Sequence, residues 1–530
     1  MTGGPSLTPR SRLRPRPETS DTSETPDRPA PVALYVVAGL VALVVATILA
    51  RRCLHADFYY DEMWRIDFVR APTFESRFFR QDTPVPIGWV HLLRLLRPLI
   101  PDSRLGYHMV TIVTFAVFVG LVTAVLDRIG VFPGSEGRGG RAAGRWGLLA
   151  FAAVVPFVLG LQLFRYFNNY TFDMAWGALV LLAAVSLDRS RWAFPLLLVL
   201  VATAPLFVLS GLFLLPAVGW FALRWARSGD SPDRAVPALI GASGVSALLA
   251  VVVYVHYYRP VARSSIAGYW ANASLHSHAS PNLVWISMRE LSTGLLRTST
   301  KASTVAFLPW VALTLVAMAV GWVLIRRSAP VVFGAALTGW LIAAVVSALT
   351  DWPATAVRVN LSFLAWWYVA ALVAAGRAAL RWSAASAVAL ALAFVLAVAH
   401  PIAAPPEAAF GRGLLPDLAV ISQSGAPHNR VVAYLSLSYF YVDYALRHQL
   451  SSGRFSIVQE PPDRQLSASE LAGVVDTLSP GDDLWCVIPY DVGPSAAATA
   501  CAVDPVRDHL RLIIDRRGHR SIVRGYQRLP

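Results

Sequence analysis

Residues 32–50, VALYVVAGLVALVVATILA, contain no charged or amide side chain. A run this apolar, close to the ~20 residues that carry a helix through the hydrocarbon core of a bilayer, is stable only where lipid or other helices surround it. Further apolar runs follow at 107–126, 146–163, 174–187, 193–207, 209–225, 235–257, 304–325, 331–349, 361–376 and 383–400. In lipid every backbone N–H and C=O must be satisfied within the protein, so the pattern predicts a polytopic α-helical membrane protein with about eleven transmembrane helices. The stretch 193–225 is too long for one helix and splits into a hairpin turning near Pro205 and Ser210-Gly211. The first run begins too late for an ordinary cleaved signal peptide, and no small-residue cleavage site follows it. Composition excludes a string of soluble domains: of 530 residues, 55% are hydrophobic and 15% charged, and the mean hydropathy is +0.52.

The flanks have a different character. Residues 1–31, rich in Pro, Thr, Ser, Asp and Arg, cannot bury enough apolar surface to fold and read as a disordered cytoplasmic tail. Residues 32–402 form the transmembrane domain. From residue 403 to 530 the chain reads as a small extracytoplasmic α/β domain, with strands in RVVAYLSL, RFSIVQE and DDLWCVIPY and helices in YFYVDYALRHQL and SASELAGVVDTL. A closing strand pair flanks the Arg517-Gly518 turn. The short connections holding Arg128, Arg138, Arg141, Arg145, Arg189, Arg191, Arg224, Arg227, Arg234, Arg326, Arg327, Arg377 and Arg381 fall on the side of the N-terminal tail, which the positive-inside bias makes cytoplasmic. The first loop on the other side, 52–106, is also arginine-rich, but there the arginines are interleaved with acids and aromatics. The net charge of +14 is arginine charge, since Lys301 is the single lysine among 46 basic residues. Arginines at helix ends follow from topology, so no nucleic-acid partner is expected. Of the three cysteines, Cys486 and Cys501 share the tail and could form a disulfide if it is extracytoplasmic; Cys53 lies at the membrane edge.

Chemistry concentrates in that first outer loop. In HADFYYDEMWRIDFVRAPTFESRFFRQDTPVPIGW, residues 55–89, Asp61 and Glu62 follow Phe58-Tyr59-Tyr60 where the chain leaves the first helix. A carboxylate there is partly desolvated, which suits a general base; a solvated loop start is the plainer alternative. Trp64, Arg65, Phe68, Arg70, Phe78, Phe79 and Arg80 read as interfacial amphipathic helices leading to Gln81-Asp82-Thr83-Pro84-Val85-Pro86. His276 and His278, two residues apart, suit a metal only with a further acidic or Cys partner, and read better as surface or acceptor-binding residues. Tyr269 and Trp270 could stack on a sugar ring, although an interfacial aromatic belt explains them equally well.

An Asp-Glu pair opening the first outer loop, interfacial helices, a Pro-rich turn, then Arg165-Tyr166-Phe167-Asn168-Asn169-Tyr170 and the Pro205 to Pro216 hairpin resemble the GT-C glycosyltransferases, especially the protein O-mannosyltransferase and lipid A aminoarabinose transferase branch. The chain departs from the aminoarabinose branch at Thr83, where many relatives carry a Lys. The resemblance implies an inverting glycosyltransferase that moves a monosaccharide from a polyprenyl-phosphate donor to an envelope glycan, lipid or protein acceptor on the outer membrane face. It implies Asp61 as base, with Glu62 or Asp82 orienting the acceptor or a divalent metal. Tyr60, Tyr166, Tyr269 and Trp270 would line the sugar and acceptor, and Arg165, Arg358, Lys301, Arg259 and Arg263 would meet the departing phosphate. Each of these cations has an ordinary alternative as a snorkelling helix-end residue. A transporter or flippase of a lipid-linked sugar is the competing class. It would place ionisable groups near mid-bilayer on broken helices, whereas here the charges fall almost entirely in loops.

Overall fold

The computed structural model describes residues 32–54, 65–66, 68–70, 85–101, 103–131, 138–156, 159, 163, 167–228, 231–259, 274–276, 308–350, 352–353, 357–381, 414–433, 442–443, 445–450, 455–459, 466–489, 509–517 and 521–530.

Every predicted apolar run except 383–400, which lies outside the described residues, carries helix. The helices are α1 (Val32–Leu54), the short α2 (Ile87–Leu96), α3 (Arg104–Arg128), α4 (Arg138–Val155), α5 (Tyr170–Val185) and α6 (Ala193–Phe207), then α7 (Leu215–Ala226), α8 (Ala235–Val253), α9 (Leu308–Ser328), α10 (Pro330–Leu349) and α11 (Leu361–Arg381). Among the described residues 4 helices combine the length and hydropathy needed to cross a membrane: Val32–Ala50, Leu105–Arg128, Ala235–Tyr258 and Pro330–Leu349. The predicted hairpin forms as α6, a 3-10 turn at Ser210–Leu214, and α7, with Pro205 in the last turn of α6.

Sequence period explains the packing. In α1, Ala38, Ala42, Ala46 and Ala50 recur every fourth position and are buried, while Val36, Leu40, Val44 and Ile48 are exposed. That places a small-residue stripe against α3 and branched side chains toward lipid. Helices α9 and α11 approach so closely that a Cβ on Gly321 would fall onto the Ala370 carbonyl. At one end of the bundle the Tyr35 hydroxyl donates to Asp127 (2.7 Å), Arg189 to the Arg128 carbonyl (3.0 Å) and Arg377 to the Val131 carbonyl (2.6 Å). These are ends that the arginine count assigns to one side.

The C-terminal residues form a 5-stranded sheet in the order β2-β1-β3-β5-β4, with β1 (Asn429–Ala433), β2 (Phe455–Gln459), β3 (Asp483–Pro489), β4 (Leu510–Arg517) and β5 (Ser521–Arg528). The first three are parallel and the last two antiparallel to their neighbours. Helix α13 (Ala468–Asp476), started by a Ser467/Glu470 capping box, covers one face through Leu471 and Val475. Helix α12 (Leu414–Ser422) lies on the other through Leu418 and Ile421. On that face the Trp485 ring takes the space beside Gly525, where a Cβ would stand 2.7 Å from it. The Trp485 indole N–H donates to Asn429 Oδ1 (2.8 Å). Of the predicted helix YFYVDYALRHQL, the described part is residues 442–443 and a π turn at Ala445–Gln449. Cys486 is disulfide-bonded.

Candidate functional site

The end of the bundle opposite Asp127 and Arg377 is held by aromatic and aliphatic side chains from the first loop. Ile66, Phe68, Trp89 and Val90 are buried with Tyr107, Phe167 and Val253, in one cluster that continues into Leu418, Val431, Trp485 and Val523. Phe167 sits 5.4 Å from Trp89 and 5.2 Å from Tyr107, centroid to centroid. Helix α2 buries Ile87, Trp89, Val90 and Leu93 while Leu95 and the following Leu99 stay exposed. That division suits a helix lying in the membrane interface.

Arginines of this region secure the loop's backbone. Arg94 donates to the Phe68 carbonyl at 3.0 Å and Arg97 to the Arg70 carbonyl at 3.4 Å. Arg65, 4% exposed, points one guanidinium nitrogen at the Phe167 carbonyl, 3.5 Å away.

Against this apolar floor lies a buried polar network. Asn168 Oδ1 accepts from Tyr170 N at 2.9 Å, an Asx turn that begins α5 four residues earlier than the apolar run indicates. Thr114 and Thr171 hydroxyls meet at 2.7 Å. One turn into α5 stands Asp173, only 2% exposed. Its carboxylate is held by the Asn169 side chain and the Leu209 backbone, and its Oδ1 has no hydrogen-bond partner. Tyr258, ending the π turn Tyr254–Tyr258, is close enough to interact electrostatically with Asp173 and donates its hydroxyl to the Val85 carbonyl at 3.2 Å. Asp173 therefore sits where four segments converge: the end of the first loop, the 167–173 turn, the 209–214 turn and the end of α8. A buried carboxylate with an unused oxygen, at the mouth of a membrane bundle, can accept a proton or orient a hydroxyl.

Of the site residues named from sequence, Arg259 has its side chain described. It follows Tyr258, is exposed, and carries no side-chain bond among the described residues. Arg358 belongs to the 3-10 turn Val357–Asn360. That turn is fixed by Asn360, which accepts from the Trp352 indole (3.1 Å) and donates to the Pro353 carbonyl (2.9 Å); the Arg358 side chain lies outside the described residues. Asp61, Glu62, Asp82, Tyr60, Arg165, Tyr166, Arg263, Tyr269, Trp270 and Lys301 also lie outside them, as does His278. His276 is docked on the end of α10, its Nδ1 3.3 Å from the Ala348 carbonyl. Among the described residues no three His, Cys, Asp or Glu side chains converge as metal ligands.

No protein-family model matches the chain, and no curated protein matches it. Among solved structures it is similar to ArnT from Cupriavidus metallidurans bound to undecaprenyl phosphate, with a TM-score of 0.52 at 13% identity, covering 94% of this chain and 98% of that one. The apo form of the same protein gives a TM-score of 0.43 at 14% identity, covering 93% and 97%. The likeness to the bound form carries the fold: the chain is an α-helical membrane protein of GT-C-like fold.

Proposed function

We propose that this protein is an inverting glycosyltransferase of a bacterial plasma membrane, moving a monosaccharide from a polyprenyl-phosphate donor to an envelope glycan, lipid or protein. The observation that carries the reading is the fold shared along almost the whole chain with a structure that holds undecaprenyl phosphate. The approach of Tyr258 to Asp173 at one end of the bundle, with Arg259 next in the chain, adds to it. In this reading the chain has eleven spans, its N-terminus is cytoplasmic and the C-terminal domain lies outside. The Cys486 disulfide supports that placement, because disulfides persist in oxidising compartments.

Nucleotide sugars are made inside the cell, so an outer site needs a sugar that has crossed on a lipid. The isoprenoid tail lies between helices, the phosphate at the interface, and the sugar in the cavity under the first loop. Asp61 takes the proton of the acceptor hydroxyl as its oxygen bonds to the anomeric carbon. The bond from that carbon to the phosphate oxygen breaks on the opposite side, and polyprenyl phosphate departs with the electron pair. Arg259, with Arg165, Arg263, Lys301 and Arg358, meets the developing negative charge; fixed cations are most effective in such a poorly solvated setting. Glu62, Asp82 and the buried Asp173 orient the acceptor, and Tyr60, Tyr166, Tyr269 and Trp270 contact the sugars.

The test is sugar transfer from a synthetic polyprenyl-phosphate sugar by purified protein in nanodiscs, with envelope extract as acceptor. Asp61→Asn is expected to reduce transfer by ~100-fold or more, the usual scale of a lost general base, with membrane insertion unchanged. Transfer at the wild-type rate by that variant removes Asp61 from the mechanism, and absence of transfer by the wild-type chain from any such donor defeats the reading.

A further inference from the structure

The sheet carries a feature that the transfer chemistry does not use. At the N-terminal ends of β1 and β3, below the last turn of α12, a cavity of about 410 Å³ is lined by Asp483, Gln527, Gln423, Ser424 and the aliphatic Val420 and Ile514, with Ile513 at its rim. That volume falls in the ~300–1,000 Å³ range of small-molecule sites. Asp483 and Gln527 stand opposite one another in the β3–β5 register, so their side chains emerge together on the α12 face.

Asp483 is 3% exposed. One carboxylate oxygen accepts from the Ser424 hydroxyl at 2.5 Å, and the other, Oδ1, has no partner. A buried oxygen without a donor costs about 1–3 kcal/mol. Packing alone gives no reason for that cost at the base of a cavity, whereas a ligand bearing hydroxyl donors relieves it. The rim has the opposite chemistry: Ile513, 41% exposed, lies at the β4 bulge on the edge of the sheet. A floor with an unpartnered carboxylate oxygen, flanked by the Gln423 and Gln527 amides and an aliphatic wall, matches a sugar ring, which offers hydroxyls along its edge and C–H groups on its face.

We infer that this cavity is a saccharide-binding subsite, separate from the transfer site, that holds a sugar unit of the acceptor. The assignment of the bound sugar to the acceptor rests on the glycosyltransferase reading; the binding of a sugar does not.

The experiment is saturation-transfer NMR on the full-length protein in nanodiscs, with the methyl glycosides of glucose, galactose, mannose and arabinose as probes. At least one glycoside is expected to receive saturation from the wild-type chain. Asp483→Asn, nearly isosteric, and Ile513→Arg, at an exposed position that the fold does not need, are each expected to reduce that signal at least threefold. No saturation of any glycoside by the wild-type protein, or equal saturation of wild type, Asp483→Asn and Ile513→Arg, overturns the subsite. If the glycoside signal depends on Asp483 but the wild-type chain transfers no sugar, the subsite stands and the glycosyltransferase reading falls.

Discussion

Asp173→Asn separates a working carboxylate from a structural one. The wild-type side chain has an oxygen without a partner and a carboxylate held by Asn169 and Leu209. The amide keeps the volume and an acceptor for the Leu209 N–H while removing the ionisable group. An unpartnered buried polar group costs about 1–3 kcal/mol whether it is the carboxylate oxygen or the amide N–H that replaces it, so the melting temperature is expected to stay close to the wild-type value. If Asp173 orients the acceptor, transfer falls by about 100-fold, which is ~2.7 kcal/mol of activation free energy. Asp173→Ala is expected to lose both properties, because it strips the acceptor from Asn169 and Leu209 and leaves a cavity. Transfer is followed with a radiolabelled polyprenyl-phosphate sugar, and stability by tryptophan-fluorescence melts of the same nanodisc preparations. An Asn variant that melts normally and transfers at the wild-type rate would falsify the functional role of Asp173.

Two further outcomes follow from packing and burial. Gly321→Val forces side-chain atoms onto the Ala370 carbonyl between α9 and α11, and overpacking of that kind costs about 1–3 kcal/mol; a melt as high as that of the wild type would mean the helices are not held so close. Burial, with Asp482 beside it, raises the Asp483 carboxyl above its ordinary value despite the Ser424 hydrogen bond. Its folded-state contribution is therefore fully present below the unfolded carboxylate value of about 3.9 and is lost as pH rises through the raised one. The Asp483→Asn variant should gain stability relative to wild type between pH 4 and pH 7, and a melting-temperature difference that is flat or shrinking over that interval contradicts the assignment.

The legible parts of the fold were those with a repeating physical signal. Apolar runs marked α1, α3, α8 and α10, a short apolar run in DDLWCVIPY marked β3, and the Arg517-Gly518 turn marked the β4–β5 pair. Asp173 was not found that way. The apolar run begins at 174, so the sequence reading left residue 173 in a turn, whereas the Asn168 Asx turn starts the helix at Tyr170 and draws the carboxylate inside. An acidic residue directly before an apolar run, after two asparagines, was the available signal. Arg65 was read as part of an interfacial helix, but like Arg94 and Arg97 it points to a loop carbonyl. Charge pattern alone does not separate a cation that awaits a phosphate from one that ties down backbone. Asp483 opens the strand read in DDLWCVIPY, and its half-satisfied carboxylate emerges only when Ser424, just after α12, is laid against the sheet.

The apolar cluster shared by the first loop and the C-terminal sheet has a consequence for biogenesis. Phe68 and Trp89 leave the ribosome several hundred residues before Val431, Trp485 and Val523, with which they share that cluster. Contacts of such long sequence separation form late. The packing around Phe68 and Trp89 is therefore completed only once the C-terminal sheet has been made.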